Sequence, residues 1–174
     1  MARASFTGEH PLKIDAKGRM SIPADFRRVL EENDPDWTEG LYPRLYLLYG
    51  PHLKDHLKVY SVAAFDNITA EIEGMHPADP KRKIATATIL KRSKRLDTDK
   101  DGRIVMPQRQ REAMGLLGDL MLAGAGDHFE IWDAAAYDSA DADLQAMIDG
   151  LGEDFDPMSL LAGGPPPPPL RIVD

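Results

Sequence analysis

Two stretches decide how this chain is read: IDAKGRMSIPADFR (Ile14–Arg27) and TDKDGRIVMPQRQR (Thr98–Arg111) align without gaps at an offset of 84 residues. Asp15 matches Asp99, Gly18 matches Gly102, Arg19 matches Arg103, Pro23 matches Pro107 and Arg27 matches Arg111. Further on, KVYSVAAFD (Lys58–Asp66) matches EIWDAAAYD (Glu130–Asp138) at an offset of 72. The shortfall places an insertion in the first half, around ENDPDWTEGLYPR (Glu32–Arg44). Two related units lie in one chain.

The second copy also imitates a calcium loop. Asp97, Asp99 and Asp101 alternate ahead of Gly102 and the apolar Ile104, as in the first half of an EF-hand. The repeat argues against that reading, because Asp97 aligns with Lys13 and Asp101 with Lys17. The twelfth position holds Gln108 rather than a bidentate Glu, and the preceding LKRSKRL is basic enough to repel a divalent cation. No cofactor or metal is expected.

The shared Asp-x-x-Gly-Arg-apolar-x-apolar-Pro pattern suits a strand–turn–strand–helix unit. Asp can fold back on nearby backbone N–H groups as in an Asx-turn, and Gly permits positive φ. Met20 and Ile22, like Ile104 and Met106, alternate onto one face of the following strand. Pro23 and Pro107 end that strand and suit the first helical position. Phe26, Val29 and Leu30 make an apolar helical face with Arg27 and Arg28 beside it. A hairpin with merely solvated arginines would be spelled the same way.

RLYLLYG and DLMLAGAG read as strands, each followed by a shorter one, KVY and EIW. Ser61 and Asp133 suit the N-caps of the helices that follow, and ADPKRKIATATIL reads as a helix leading into the second unit. The proline run GGPPPPPLRIVD suits an extended, disordered tail.

With 174 residues the chain can bury a real core, and the absence of cysteine excludes disulfides, thiol nucleophiles and thiolate metal sites. No apolar run approaches the roughly 20 residues that span a bilayer, and MARASFTGEH has no signal-peptide core; a cytoplasmic protein is expected. The formal charge of −8 is unevenly spread, with nine acids and one base in residues 133–174. Residues 1–132 are neutral, and Lys81–Arg103 holds nine bases against three acids. The local field there is positive whatever the sign of the whole.

The doubled D-x-x-G-R…P unit, with EIWD after the second copy, resembles the MraZ family of bacterial transcription regulators over roughly residues 5–150. The resemblance implies an α+β fold: a double-split β-barrel built from two tandem AbrB-like strand–turn–strand–helix repeats with flanking helices. It implies one repeat over residues 5–76 and a second over 77–150; residues 151–174 lie outside the pattern and read by composition as an acidic, proline-rich disordered tail. It further implies a nucleoid-associated ring homo-oligomer that binds double-stranded DNA at short direct promoter repeats, upstream of the division and cell-wall gene cluster. The family's Asp-x-x-x-Arg signature falls on Asp15 with Arg19 and on Asp99 with Arg103. Lys17 and Lys100, beside them, would supply phosphate contacts, while Arg can bind guanine in bidentate fashion in the major groove.

Other classes fit less well. His52 and His56 have metal-like spacing but lack an evident third ligand, and Ser21 has no base partner in the motif. No phosphate-cradling glycine loop is present, so an enzyme is not expected. An AbrB-type antitoxin that neutralises a toxin and autoregulates is the main alternative, although such chains usually carry one hairpin unit. A purely structural ring protein would share the fold.

Overall fold

The computed structural model describes residues 4–161 and 163. They fall into two compact units, one up to Ala134 and one from Ala135 onward.

The first unit begins with strands β1 (Glu9–Ile14) and β2 (Arg19–Ser21), joined by the first Asp-x-x-Gly-Arg turn. Helix α1 (Ala24–Glu32) follows, buries Phe26, Val29 and Leu30, and leaves Arg27 and Arg28 off the buried face. Pro23 is the N-cap rather than the first helical residue, one place earlier than expected. Its φ of −53° and ψ of 144° end the strand, while its carbonyl accepts the first helical N–H from Arg27 at 2.9 Å. Pro107 does the same for α4. Strands β3 (Arg44–Leu48) and β4 (His56–Ser61) come next, then helix α2 (Val62–Glu73). Ser61 caps α2 through its Oγ, which accepts from the Ala64 N–H at 3.2 Å; this satisfies one of the helix's orphan donors.

Helix α3 (Pro80–Thr88) and a 3-10 turn (Leu90–Arg92) lead into the second set. That set comprises β5 (Ser93–Asp97), β6 (Arg103–Val105), α4 (Gln108–Met114), β7 (Gly118–Gly124) and β8 (His128–Asp133). The second unit carries helix α5 (Ala134–Asp149) onward from Ala135 and a 3-10 turn at Pro157–Leu160, whose Met158 N–H is capped by Asp156. Residues 164–174, where a proline-rich tail is expected, lie outside the described residues.

Pairing runs between the repeats more than within them. One antiparallel sheet has the order β1-β7-β8-β4-β3-β5, and a second consists of β2 and β6 alone. Strand β1 pairs with β7, and its counterpart β5 pairs with β3, so each repeat lends its first strand to the other. At the centres of two of the four cross-repeat ladders, equivalent residues meet. Met20 faces Ile104 in β2–β6, and Lys58 faces Glu130 in β4–β8. A pseudo-twofold axis therefore relates the repeats.

The register also divides the insertion in two. Leu45 pairs with Ser61 as Leu120 pairs with Asp133. Counterparts are therefore 75 residues apart at β3 and β7 but 72 at β4 and β8, so extra residues lie on both sides of β3. The longer piece is anchored by Asp34. Its side chain is 2 % exposed and receives the Arg44 guanidinium at 2.6 Å (Nη2) and 3.0 Å (Nε).

One core serves both repeats. Met20, Ile22, Ile104 and Met106, the alternating positions of the two motifs, are all buried, joining Phe6, Phe26 and Phe129. The three phenylalanine rings meet at centroid distances of 4.8–5.3 Å, in the edge-on and tilted arrangements that aromatic quadrupoles favour.

Candidate nucleic-acid interface

Each motif aspartate organises its own turn. Asp15 Oδ1 accepts from the backbone N–H of Lys17 and of Arg19, both at 2.9 Å. Asp99 Oδ1 accepts from the N–H of Asp101 at 2.8 Å and of Arg103 at 2.9 Å. Each is the expected Asx-turn extended by one further bond. Gly18 (φ 85°) and Gly102 (φ 72°) supply the left-handed residue that lets the chain reverse. The Arg19 N–H and side chain, then the Lys17 N–H, hold the Asp15 carboxyl below the usual carboxylate range. The N–H groups of Arg103 and Asp101, with the Arg103 charge, do the same for Asp99.

The same carboxylates hold the arginines. Arg19 Nε donates to Asp15 Oδ2 at 2.7 Å, and Arg103 Nε donates to Asp99 Oδ2 at 3.2 Å. Both guanidiniums remain partly open to solvent, with side chains 44 % and 38 % exposed. Because Met20 and Ile104 point into the core, Arg19, Ser21, Arg103 and Val105 share the outer face of the β2–β6 ribbon. The two arginines sit at opposite ends of a three-residue ladder, about 7 Å apart along the strand direction. Lys17 and Lys100 occupy the exposed tips of their turns, beside Asp15 and Asp99.

Each turn is also supported from the opposite repeat. Arg111 on α4 donates through Nη1 to the Ala16 carbonyl at 3.1 Å and through Nε to the Met106 carbonyl at 3.0 Å. Arg27 on α1 reaches the Asp101 carbonyl through Nη1 at 3.4 Å. A Cβ at Gly18 would lie 2.7 Å from Arg111 Nε, and one at Gly102 would overlap the Arg27 guanidinium. Backbone bonds complete the exchange: Met106 N–H donates to the Gly18 carbonyl at 2.7 Å, and Ile22 N–H to the Gly102 carbonyl at 2.9 Å. The helical arginines are thus latches for turns of the other repeat, a role the sequence comparison registered only as matched letters.

The insertion makes the surroundings of the turns unequal. A cleft of about 420 Å³ borders the second turn, lined by Arg27, Arg28, Trp37, Tyr42 and Lys100 among others. Its Trp37 and Tyr42 come from the longer insertion, which the second repeat lacks.

The histidines form another symmetric group. His56 and His128 are counterparts, each with Nδ1 beside the preceding aspartate, Asp55 at 2.7 Å and Asp127 at 2.6 Å. His56 stacks on Trp132, and His128 tilts against Tyr60. The Asp-His dipeptide therefore does recur in the second repeat, whereas His52 has no partner there. Among the described residues, no group of three or more His, Asp or Glu is arranged to hold a metal ion. No described helix is long and apolar enough to cross a membrane.

These features define a mixed α+β protein of two tandem repeats, which put paired Asp-x-x-Gly-Arg hairpins on one exposed ribbon. A family model described as "MraZ protein, putative antitoxin-like" matches residues 5–86 and 89–150. A transcriptional regulator MraZ of Ruegeria pomeroyi is 40% identical over 164 residues, covering 94% of this chain and 98% of that one. Transcriptional regulators MraZ of Ruegeria sp. (36% identical; 91% and 95% covered) and Parvibaculum lavamentivorans (30%; 86% and 88%) are also similar. The chain belongs to the MraZ family, a family of transcriptional regulators and not of enzymes.

Proposed function

We propose that the chain is a sequence-specific DNA-binding regulator of transcription that inserts the β2–β6 ribbon into a major groove. The observation that carries this reading is the pair of pinned arginines on one exposed ribbon face. A two-stranded ribbon fits the major groove, and a guanidinium held by its Nε has terminal nitrogens suited to the O6 and N7 of guanine, at Arg19 and, once Asp101 releases Nη2, at Arg103. Asp15 and Asp99 act by ordering the turns and orienting the arginines. Lys17 and Lys100 contact phosphates and carry no sequence information.

In this reading the strand exchange is that of a double-split β-barrel made from AbrB-like repeats, over residues 5–76 and 77–150, with 151–174 as an appended tail. One ribbon offers few cations, so useful affinity needs several copies. A ring homo-oligomer on short direct repeats in its own promoter region supplies them by effective concentration. The division and cell-wall gene cluster is the proposed target, and the cytoplasm and nucleoid the proposed location. The "antitoxin-like" family description favours one second reading, an AbrB-type antitoxin that neutralises a toxin and autoregulates.

A mobility-shift titration on the gene's own upstream region, against the same bases scrambled, tests the proposal. Saturable binding to the native sequence at a salt concentration that abolishes the scrambled complex is expected. Equal binding to both would overturn it, and a toxin that co-purifies with the chain and is neutralised by it would favour the antitoxin.

A further inference from the structure

The two hairpins share a backbone but differ in charge at two tip positions: Ala16 aligns with Lys100, and Lys17 aligns with Asp101. Lys17 and Asp101 each donate a backbone N–H to their motif aspartate, at 2.9 and 2.8 Å, two residues into the turn. The first turn therefore carries a cation where the second carries a carboxylate. The carboxylate is also engaged: Asp101 Oδ2 receives Arg103 Nη2 at 3.2 Å, while Asp99 Oδ2 receives Arg103 Nε at the same distance. Arg103 is shared between two carboxylates. Among the described residues Arg19 meets one, Asp15, through Nε at 2.7 Å. Within the five residues of each turn, Asp15–Arg19 has one acid and two bases, whereas Asp99–Arg103 has two of each.

We infer that Asp101 makes the two hairpins unequal DNA readers, with Arg19 dominant and Arg103 held back as a weaker, counter-charged second contact; this rests on the DNA-binding reading above. The physical reason is twofold. A terminal guanidinium nitrogen bonded to Asp101 must release it before it can take part in a bidentate contact with guanine. In addition, a carboxylate at the tip approaches the phosphates and opposes them, where Lys17 attracts them. Both effects act at the surface, so they shrink as salt screens them.

The test compares Arg19→Ala, Arg103→Ala, their double variant, Asp101→Asn and Asp101→Lys on a fluorescent duplex of the gene's own upstream region, across a salt series. Asp101→Asn keeps the turn, because the backbone N–H rather than the carboxylate ties position 101 to Asp99. Circular dichroism and light scattering verify fold and mass for each variant. Arg19→Ala should weaken binding more than Arg103→Ala. Asp101→Asn should tighten it by about five-fold at low salt, and by less as salt rises. In the Asp101→Asn background, Arg103→Ala should become the costlier change it was not before. If the two arginine variants weaken binding equally and Asp101→Asn and Asp101→Lys do nothing, the hairpins are equal and this inference falls while the DNA reading stands. If even the double arginine variant binds like the parent, both fall.

Discussion

Met20 and Ile104 face each other at the centre of the β2–β6 ladder, and each occupies the same position in its own repeat. Both are essentially inaccessible, at 1 % exposure. The residues that hold the ribbon to the core are thus the immediate neighbours of Arg19 and Arg103 that face solvent. A change at the core pair acts on both hairpins together, because neither repeat completes this ladder alone.

That contact has a direct consequence for stability. Met20→Ala and Ile104→Ala should each cost about 2–5 kcal/mol, since both leave a cavity in a packed interior. The double variant should depart from additivity, as touching residues do. Urea denaturation of the four proteins checks this, and additive losses would show that the two side chains do not share one packing site.

The latches can be isolated by a second cycle. Gly102→Ala forces a side chain into a left-handed backbone position and into the Arg27 guanidinium, and should destabilise by at least about 1 kcal/mol. Removing the guanidinium with Arg27→Ala should make the same glycine change cheaper, leaving only the backbone cost. Gly18→Ala and Arg111→Ala should repeat the pattern for the first turn. A glycine penalty unchanged by loss of the arginine would mean that the guanidinium moves aside freely and is no latch.

The buried pair in the insertion predicts a pH response. Hydrogen bonds from the Arg44 side chain, then its N–H and that of Asp36, hold the Asp34 carboxyl below its ordinary value. A carboxyl depressed in the folded state stabilises above its unfolded pKa, and that contribution is lost as pH falls through the folded value. Stability should therefore decline below about pH 4. Asp34→Asn should cost about 1.5–3 kcal/mol at pH 7, by leaving Arg44 only the exposed Asp36 carboxylate at 2.9 Å as a charged partner, and should flatten the acid limb of the stability profile. An acid limb identical in the parent and the variant would place the titration elsewhere.

How much of this was legible depended on whether local spelling or chain pairing fixed the feature. The turn was legible, because Asp, Gly and Arg at those spacings have few other uses and Asp15 and Asp99 bond where an Asx-turn requires. The buried faces of Met20, Ile22, Ile104 and Met106 followed from alternation. The strand exchange did not follow from the repeat, and was implied only by the resemblance to a double-split β-barrel of swapped-hairpin units. A repeat reports that two segments are alike, not whether β1 pairs within its own unit or, as here, with β7 of the other. For the same reason Arg27 reads as a helix-flank cation, and Arg111 as its match, rather than as supports for turns across the axis. The Asp55-His56 and Asp127-His128 correspondence is present at the offset of 72, but the metal-like spacing of His52 and His56 masks it. The unequal charge of Lys17 and Asp101 is likewise visible in the alignment, where it argues against calcium.

The most direct measurement is the affinity of the Arg19→Ala/Arg103→Ala double variant for the gene's upstream region and for scrambled DNA, with parent-like folding and oligomeric mass verified beforehand. Each lost base contact is worth about 1–3 kcal/mol, so the native-sequence complex should weaken by well over ten-fold while scrambled binding changes far less. If the double variant binds the native sequence as tightly as the parent, the shared motif is structural and the paired arginines are not the reading heads of this protein.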